Sequence, residues 1–356
     1  MDKCIKELFT ALHSHPELSG NENATKAILI GFLSAHTDLT LHDMGAWLWG
    51  IHSEECADDT IAFRADMDAI KGKDGCAFHG CGHDGHMTTM CALAREISGR
   101  TLGKNIIFIF QPSEENGQGA AIIAPHLASL GIKHIYGFHN IPGHKAGRAL
   151  VRCGTFACAS KGLTLTYSGR QSHAAYPETG ANPSFAIAQT VSEIQRVRNS
   201  SEYKALVLAT IVHISVGEEN AFGVNAGHGT LSVTIRAELE EELSLLQSRI
   251  TAAALSACEA DGIELSCEEF DVFPETANSR AEYDRVCRAF DSVCEDYEVL
   301  SVPMRWSEDF GHYLKVTDGF FFGIGSGESQ PALHTDEYSY NTDMIEKSVG
   351  LLLSLI

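Results

Sequence analysis

Ile106-Ile107-Phe108-Ile109-Phe110-Gln111-Pro112-Ser113-Glu114-Glu115 is the stretch on which the fold turns. Its five consecutive apolar residues have the length of a buried strand, and the run gives way to Gln111-Pro112-Ser113 and then two carboxylates. A short apolar strand that ends in residues of catalytic type belongs to an open α/β sheet, where chemistry gathers at strand ends. Upstream, amphipathic runs at 3–12 and 23–33 predict helices, and 61–63 predicts another strand. Downstream, 135–138 and 320–324 are two more buried runs. Helix-like and strand-like segments alternate over the first 155 residues, which predicts α/β layers.

From about Lys161 the pattern changes. A strand at 163–167 is followed by a long helix at 182–198, strands at 207–216 and 231–237, a helix at 243–260 and an extended run at 264–273. This β-α-β-β-α-β order is that of a ferredoxin-like α+β domain. The expected fold class is therefore α/β: a mixed-sheet α/β/α domain built from 1–160 and 274–356, interrupted by an inserted domain spanning 161–273.

A length of 356 residues accommodates two domains at roughly 100 to 200 residues each. Twenty-six basic against 47 acidic residues leave a net charge of −21, which repels phosphate backbones and argues against nucleic-acid binding. The 11 cysteines are odd in number and scattered, so they do not outline a disulfide framework and are expected mostly as buried thiols. The first residues lack the basic and apolar regions of a signal peptide, and no run approaches the roughly 20 apolar residues of a membrane span. The cytoplasm is the expected location.

Cys81-Gly82-His83-Asp84-Gly85-His86 places a thiol, two imidazoles and a carboxylate within six residues. Thiolate and imidazole suit zinc and similar metals, and the glycines allow a turn tight enough for Cys81 and His83 to converge. The competing reading is a polar loop in which Asp84 caps a helix running through Met90 to Leu93. Glu114-Glu115 invites a division of labour in which one carboxylate binds metal and its neighbour takes a proton from activated water. Read alone, the pair is equally an acidic loop leading into a helix after Gly119. His139 ends the 135–138 strand, and His334 lies in a late loop. Either is ordinary by itself, but ligand-type side chains at four separate places point to one shared site.

With these residues assembled, the chain resembles the aminoacylase and carboxypeptidase superfamily of co-catalytic metallohydrolases, in the branch of hippurate hydrolases and auxin-conjugate amidohydrolases. The resemblance runs nearly the full length. It rests on His15-Pro16-Glu17-Leu18, Arg64-Ala65-Asp66-Met67-Asp68-Ala69, the motif from Cys81 to His86, Gln111-Pro112-Ser113-Glu114-Glu115, Gly137-Phe138-His139, Ser172-His173-Ala174-Ala175, Ser307-Glu308-Asp309-Phe310 and Leu333-His334. It implies two divalent ions, zinc or manganese first and cobalt or nickel next, held by Cys81, His83, Glu115, His139 and His334. It implies Glu114 as general base and His173, on the inserted domain, as the group that stabilises the oxyanion. Arg236 matches an arginine that faces substrate in similar enzymes. The inserted domain would act as lid and dimer interface, so a homodimer is implied. The reaction implied is direct attack of water on the amide of a small N-acyl amino acid, or of a dipeptide-like compound if the chain follows the peptidase branch. Asp66 and Asp68 are expected to support the ligands.

Three departures concern the pocket rather than the metals. The segment 70–80 is shorter than usual, with Ile70-Lys71 in place of Leu-Pro; Gly223 stands where relatives carry asparagine, leaving Asn225 as the substitute contact; and Ile141 replaces an aromatic residue. Two other classes stay open at this point: a thiol hydrolase with Cys81 as nucleophile and His83 or His139 as base, and a binding protein that kept the fold without turnover.

Overall fold

The computed structural model describes residues 2–293 and 296–356, which divide into two compact units. The first comprises residues 1–156, 276–303 and 308–356; the second comprises 157–275 and 304–307.

The first unit is built on an eight-stranded mixed sheet. Its middle four strands run parallel in the order Lys104–Gln111, Asp59–Asp66, His134–Pro142 and Asp318–Gly327. All four carry the apolar runs read from the sequence, and residues 106–110 are fully buried. Thr40–Asp43 and Leu48–His52 extend one edge antiparallel, and Ala149–Val151 with Tyr297–Val299 completes the other. These short edge strands lack a long apolar run, which is why the sequence pattern passed over them.

One sheet face, presenting Phe63, Phe108, Tyr136 and Phe320, shares a core with helices Lys3–His13, Asn23–His36, His83–Ile97, Arg280–Ser292 and Ile345–Leu353. The other packs against the short helices Gly119–Ile123 and Gly311–Leu314. The result is an α/β/α sandwich whose parallel strands all point their carboxyl ends toward the same rim.

The second unit is a four-stranded antiparallel sheet in the order Val207–Val216, His228–Ala237, Ala159–Ser168 and Glu264–Phe273. Helices Pro183–Val197 and Glu240–Glu259 pack over one face through Ile187, Ile194, Leu246 and Ile250. The order is the ferredoxin-like one. The second helix begins three residues earlier than the apolar spacing indicated, because Glu240, Glu241 and Glu242 occupy its first turn and favour the positive end of its dipole.

Two sequence expectations need correction. Asp84 does not cap a helix: the cap is Gly82, in the left-handed region at φ 95°, and His83 opens the helix. A side chain at 82 would meet Asn140 Oδ1 at 2.6 Å, so only glycine allows the close approach. The cysteines are not mostly buried: of the ten described, Cys81, Cys91, Cys158, Cys258 and Cys287 are buried, and the rest are partly or fully exposed. Among the described residues no helix is long and apolar enough to cross a membrane.

Candidate metal centre

The rim of the parallel strands collects the chemistry. Lys104–Gln111 leads into the Ser113–Glu115 turn, Asp59–Asp66 into Asp68, and His134–Pro142 carries His139. The helix His83–Ile97 starts beside them, and the loop after Asp318–Gly327 brings His334.

Five side chains from these elements meet. Cys81 Sγ lies 3.3 Å from Nε2 of His139 and 3.3 Å from Nε2 of His334. His83 Nε2 is 3.7 Å from Glu115 Oε1, which is 3.6 Å from His334 Nε2. Among the described residues five three-residue groups of donor atoms are close enough to hold an ion, and two of them are made only of the expected ligands: Cys81 with His83 and His139, and Cys81 with Glu115 and His334. Both contain Cys81.

Neighbouring hydrogen bonds fix which atoms face inward. His83 Nδ1 donates to the Asp68 carbonyl at 2.9 Å, and His139 Nδ1 to the Asn140 carbonyl at 2.9 Å, so Nε2 is the inward atom of each ring. Asp68 Oδ2 accepts from the Glu115 amide at 3.0 Å and from Ser19 Oγ at 2.7 Å. His86, one turn beyond His83, bonds Asp66 Oδ1 through Nδ1 at 2.7 Å. Its position three residues after His83, on the same helix face, was the available signal for its place beside the site.

Backbone strain collects here as well. Ser113 and His334 are non-glycine residues at φ 55° and 62°, a conformation that costs about 1–3 kcal/mol and persists only where surroundings enforce it. The turn after Glu115 is tight: a Cβ on Gly119 would lie 1.7 Å from the Pro112 carbonyl oxygen.

Behind the ligand cluster lies a charge network built on Arg64, which is 1% exposed. Its guanidinium donates to Gln111 at 2.8 Å, Asp66 at 2.7 Å, and Glu308 and Asp309 at 2.9 Å each. The motifs alone do not predict this convergence, although an arginine inside the apolar strand 61–65 is a signal, since buried arginine is almost always paired.

Electrostatics set the protonation states. Burial pushes Glu114 well above the usual carboxylate range, helped by Glu308, Glu115 and Asp309. Burial likewise raises Glu115 to about 7 against the opposing pull of His83. For His83 the carboxylates Asp66, Asp68 and Glu115 outweigh burial and raise it to about 10. Burial lowers His139 and His334, aided by neighbouring imidazoles. The Cys81 thiol is driven far up by burial and by Glu115 and Glu114. That is the reverse of what a thiolate nucleophile requires, and it weighs against the thiol-hydrolase reading.

The described residues show three buried atoms at this site without hydrogen-bond partners: His83 Nε2, Glu115 Oε1 and Asp68 Oδ1. Buried polar atoms are normally satisfied, so unsatisfied nitrogen and oxygen facing each other beside a thiol fit a cation site.

The sequence pattern of Peptidase family M20/M25/M40 matches residues 62–356. The chain belongs to peptidase family M20/M25/M40. As a member of that family it is a hydrolase of amide C–N bonds. Among its M20/M25/M40 relatives, an N-acetyldiaminopimelate deacetylase of Listeria welshimeri is 27% identical over 365 residues, covering 97% of this chain and 96% of the relative. One from Lacticaseibacillus paracasei is 28% identical over 357 residues, covering 92% and 90%. Among solved structures, the Bacillus subtilis YXEP protein, described as a dinuclear metal binding peptidase of the M20 family, superposes with a TM-score of 0.82. It is 20% identical, over 99% of this chain and 96% of that one.

The remaining candidates belong to the second unit. His173 is exposed, pairs with Val224 in a short two-stranded ladder, and accepts from the Ala175 amide through Nδ1 at 3.0 Å. Arg236 lies on His228–Ala237 and donates to Ser307 Oγ at 2.8 Å. Asn225 is spent internally: it accepts from Asn182 at 2.7 Å and donates to Ser172 Oγ at 3.0 Å and the Pro177 carbonyl at 3.4 Å. With both ends of its amide engaged, Asn225 holds the His173 ladder together.

Proposed function

We propose that this M20/M25/M40 hydrolase removes the acyl group from a small N-acyl amino acid, using two divalent ions held by Cys81, His83, Glu115, His139 and His334. The observation that carries the reading is the pair of three-residue donor groups that share Cys81. A thiolate common to both would bring two ions close together, and the mixed sulfur, nitrogen and oxygen donors suit zinc or manganese, with cobalt or nickel next. Bound divalent ions would supply Lewis acidity and would lower the pKa of water from about 15.7 toward about 7.

Glu114 is the proposed general base. Among the described residues no hydrogen bond reaches its carboxylate, so it is available to take a proton from the attacking water and to pass it to the departing amine. His173 is the proposed oxyanion donor. Because Nδ1 accepts from Ala175, its proton resides on Nε2, the tautomer that donates. Arg236 is the proposed partner for a substrate carboxylate, held in place by Ser307.

The deacetylase relatives make N-acetyldiaminopimelate the first substrate to try. We assign the second unit the role of lid and dimerisation domain, and the cytoplasm as the location. An edge strand with exposed Val212 and Ile214 supports the homodimer, which sedimentation would test. The test of function is a screen of metal-reconstituted protein against N-acetyldiaminopimelate, other N-acetyl, N-benzoyl and aminobenzoyl amino acids, and dipeptides. Release of free amine from an N-acyl amino acid is expected. Cleavage confined to dipeptides would replace the reading with a dipeptidase, and no turnover would favour a binding protein.

A further inference from the structure

Glu22 takes no part in the ligand cluster, yet it is a buried carboxylate, 6% exposed, just before the helix Asn23–His36. Its Oε1 accepts two backbone amides, Gly20 at 2.9 Å and Ser113 at 2.9 Å. Ser113 is the residue held at φ 55°, and the next residue is Glu114. The neighbouring Ser19 bonds Asp68, whose same oxygen receives the Glu115 amide. The short segment 19–22 therefore grips the turn at two successive points, one before the proposed base and one after it.

We propose that Glu22 is a positioning residue for Glu114: its carboxylate captures the Ser113 amide and so enforces the left-handed turn that aims the base. This rests on the assignment of Glu114 as base. Ser113 has no intrinsic reason to adopt positive φ, because its Cβ disfavours that region. Without an acceptor for its amide, Ser113 reverts to an extended or right-handed conformation, and the following peptide plane turns with it. Glu115 keeps its own tether through Asp68, so the ligand set survives while the base loses its aim. A role of this kind, one step removed from the reacting atoms, is commonly worth about 10- to 100-fold in activity.

The test compares Glu22→Ala with Glu22→Gln in the full-length, metal-loaded protein, each assayed well below its own unfolding temperature. An amide oxygen still accepts from Gly20 and Ser113, so Glu22→Gln retains kcat within a few-fold, whereas Glu22→Ala loses about 10- to 100-fold in kcat with KM little changed and metal content intact. Hydrogen exchange of the 111–119 backbone, which needs no substrate, accelerates in Glu22→Ala and not in Glu22→Gln. Unchanged exchange in Glu22→Ala, equal defects in both variants, or a fall in metal content that tracks the loss would overturn the proposal. Glu114→Gln is run alongside. If it is inactive while Glu22→Ala is fully active, only the positioning role is lost; if it is fully active, the assignment of the base fails and the positioning role with it.

Discussion

His83 Nε2 and Glu115 Oε1 face each other across 3.7 Å, both buried and neither hydrogen-bonded. Leaving one such group unsatisfied costs about 1–3 kcal/mol, so two in opposition are a standing demand for something between them. The same imidazole is locked through Nδ1 to the Asp68 carbonyl, which prevents it from rotating to find another partner. A cation answers both atoms at once.

Ion uptake should release protons. Asp66, Asp68 and Glu115 overcome burial to raise His83 to about 10, so in the metal-free protein the ring is protonated at neutral pH. An ion needs the Nε2 lone pair and must displace that proton. Below about 10, affinity therefore falls as pH falls. Calorimetry of zinc or manganese binding in buffers of differing ionisation enthalpy should count at least one proton released near neutral pH. A count of zero would contradict His83 as a ligand.

Glu114→Gln removes the proposed base while keeping its shape. Metal content should stay at the wild-type level, and kcat should fall about 10²- to 10⁴-fold. Metal analysis beside steady-state kinetics checks both halves of this expectation, and an intact rate would remove Glu114 from the reaction.

Arg64 offers a stability prediction. Arg64→Met would strip the counter-charge from Asp66, Glu308 and Asp309, which are all buried, at a cost of about 3–5 kcal/mol. Urea unfolding of the metal-free proteins measures it. A change below about 1 kcal/mol would mean the carboxyls simply take up protons, as the raised values of about 8 for Glu308 and about 6 for Asp309 would permit.

Gly119→Ala tests the turn itself. The added methyl would lie 1.7 Å from the Pro112 carbonyl oxygen, so the backbone must move. About 1–3 kcal/mol of stability should be lost, with activity falling further than stability alone explains. Thermal unfolding and kinetics on the same sample distinguish this from a harmless change.

Much of this architecture is legible in the residues. Ile106–Phe110 reads as a buried strand because both of its faces are covered, and the inserted domain declares itself by a change of period near Lys161. The layers follow from the apolar pattern. What stays hidden is contact between distant segments. Arg64 and Glu308 are 244 positions apart, and nothing local in Ser307-Glu308-Asp309 says which cation they face. Glu22 looks like a solvated helix-start residue, yet it binds the Ser113 amide 91 positions away. The Gly82 cap escaped because Asp84 has the better local propensity for that role, and only the crowding by Asn140 reverses the choice. Local sequence records propensity and burial, whereas these side chains are set by which strand ends become neighbours.

The most direct test is anomalous diffraction from manganese- or zinc-loaded crystals. Two peaks are expected per chain, one among Cys81, His83 and His139 and the other among Cys81, Glu115 and His334. A single peak, or peaks away from Cys81, would contradict the shared-thiolate centre on which the proposed chemistry depends.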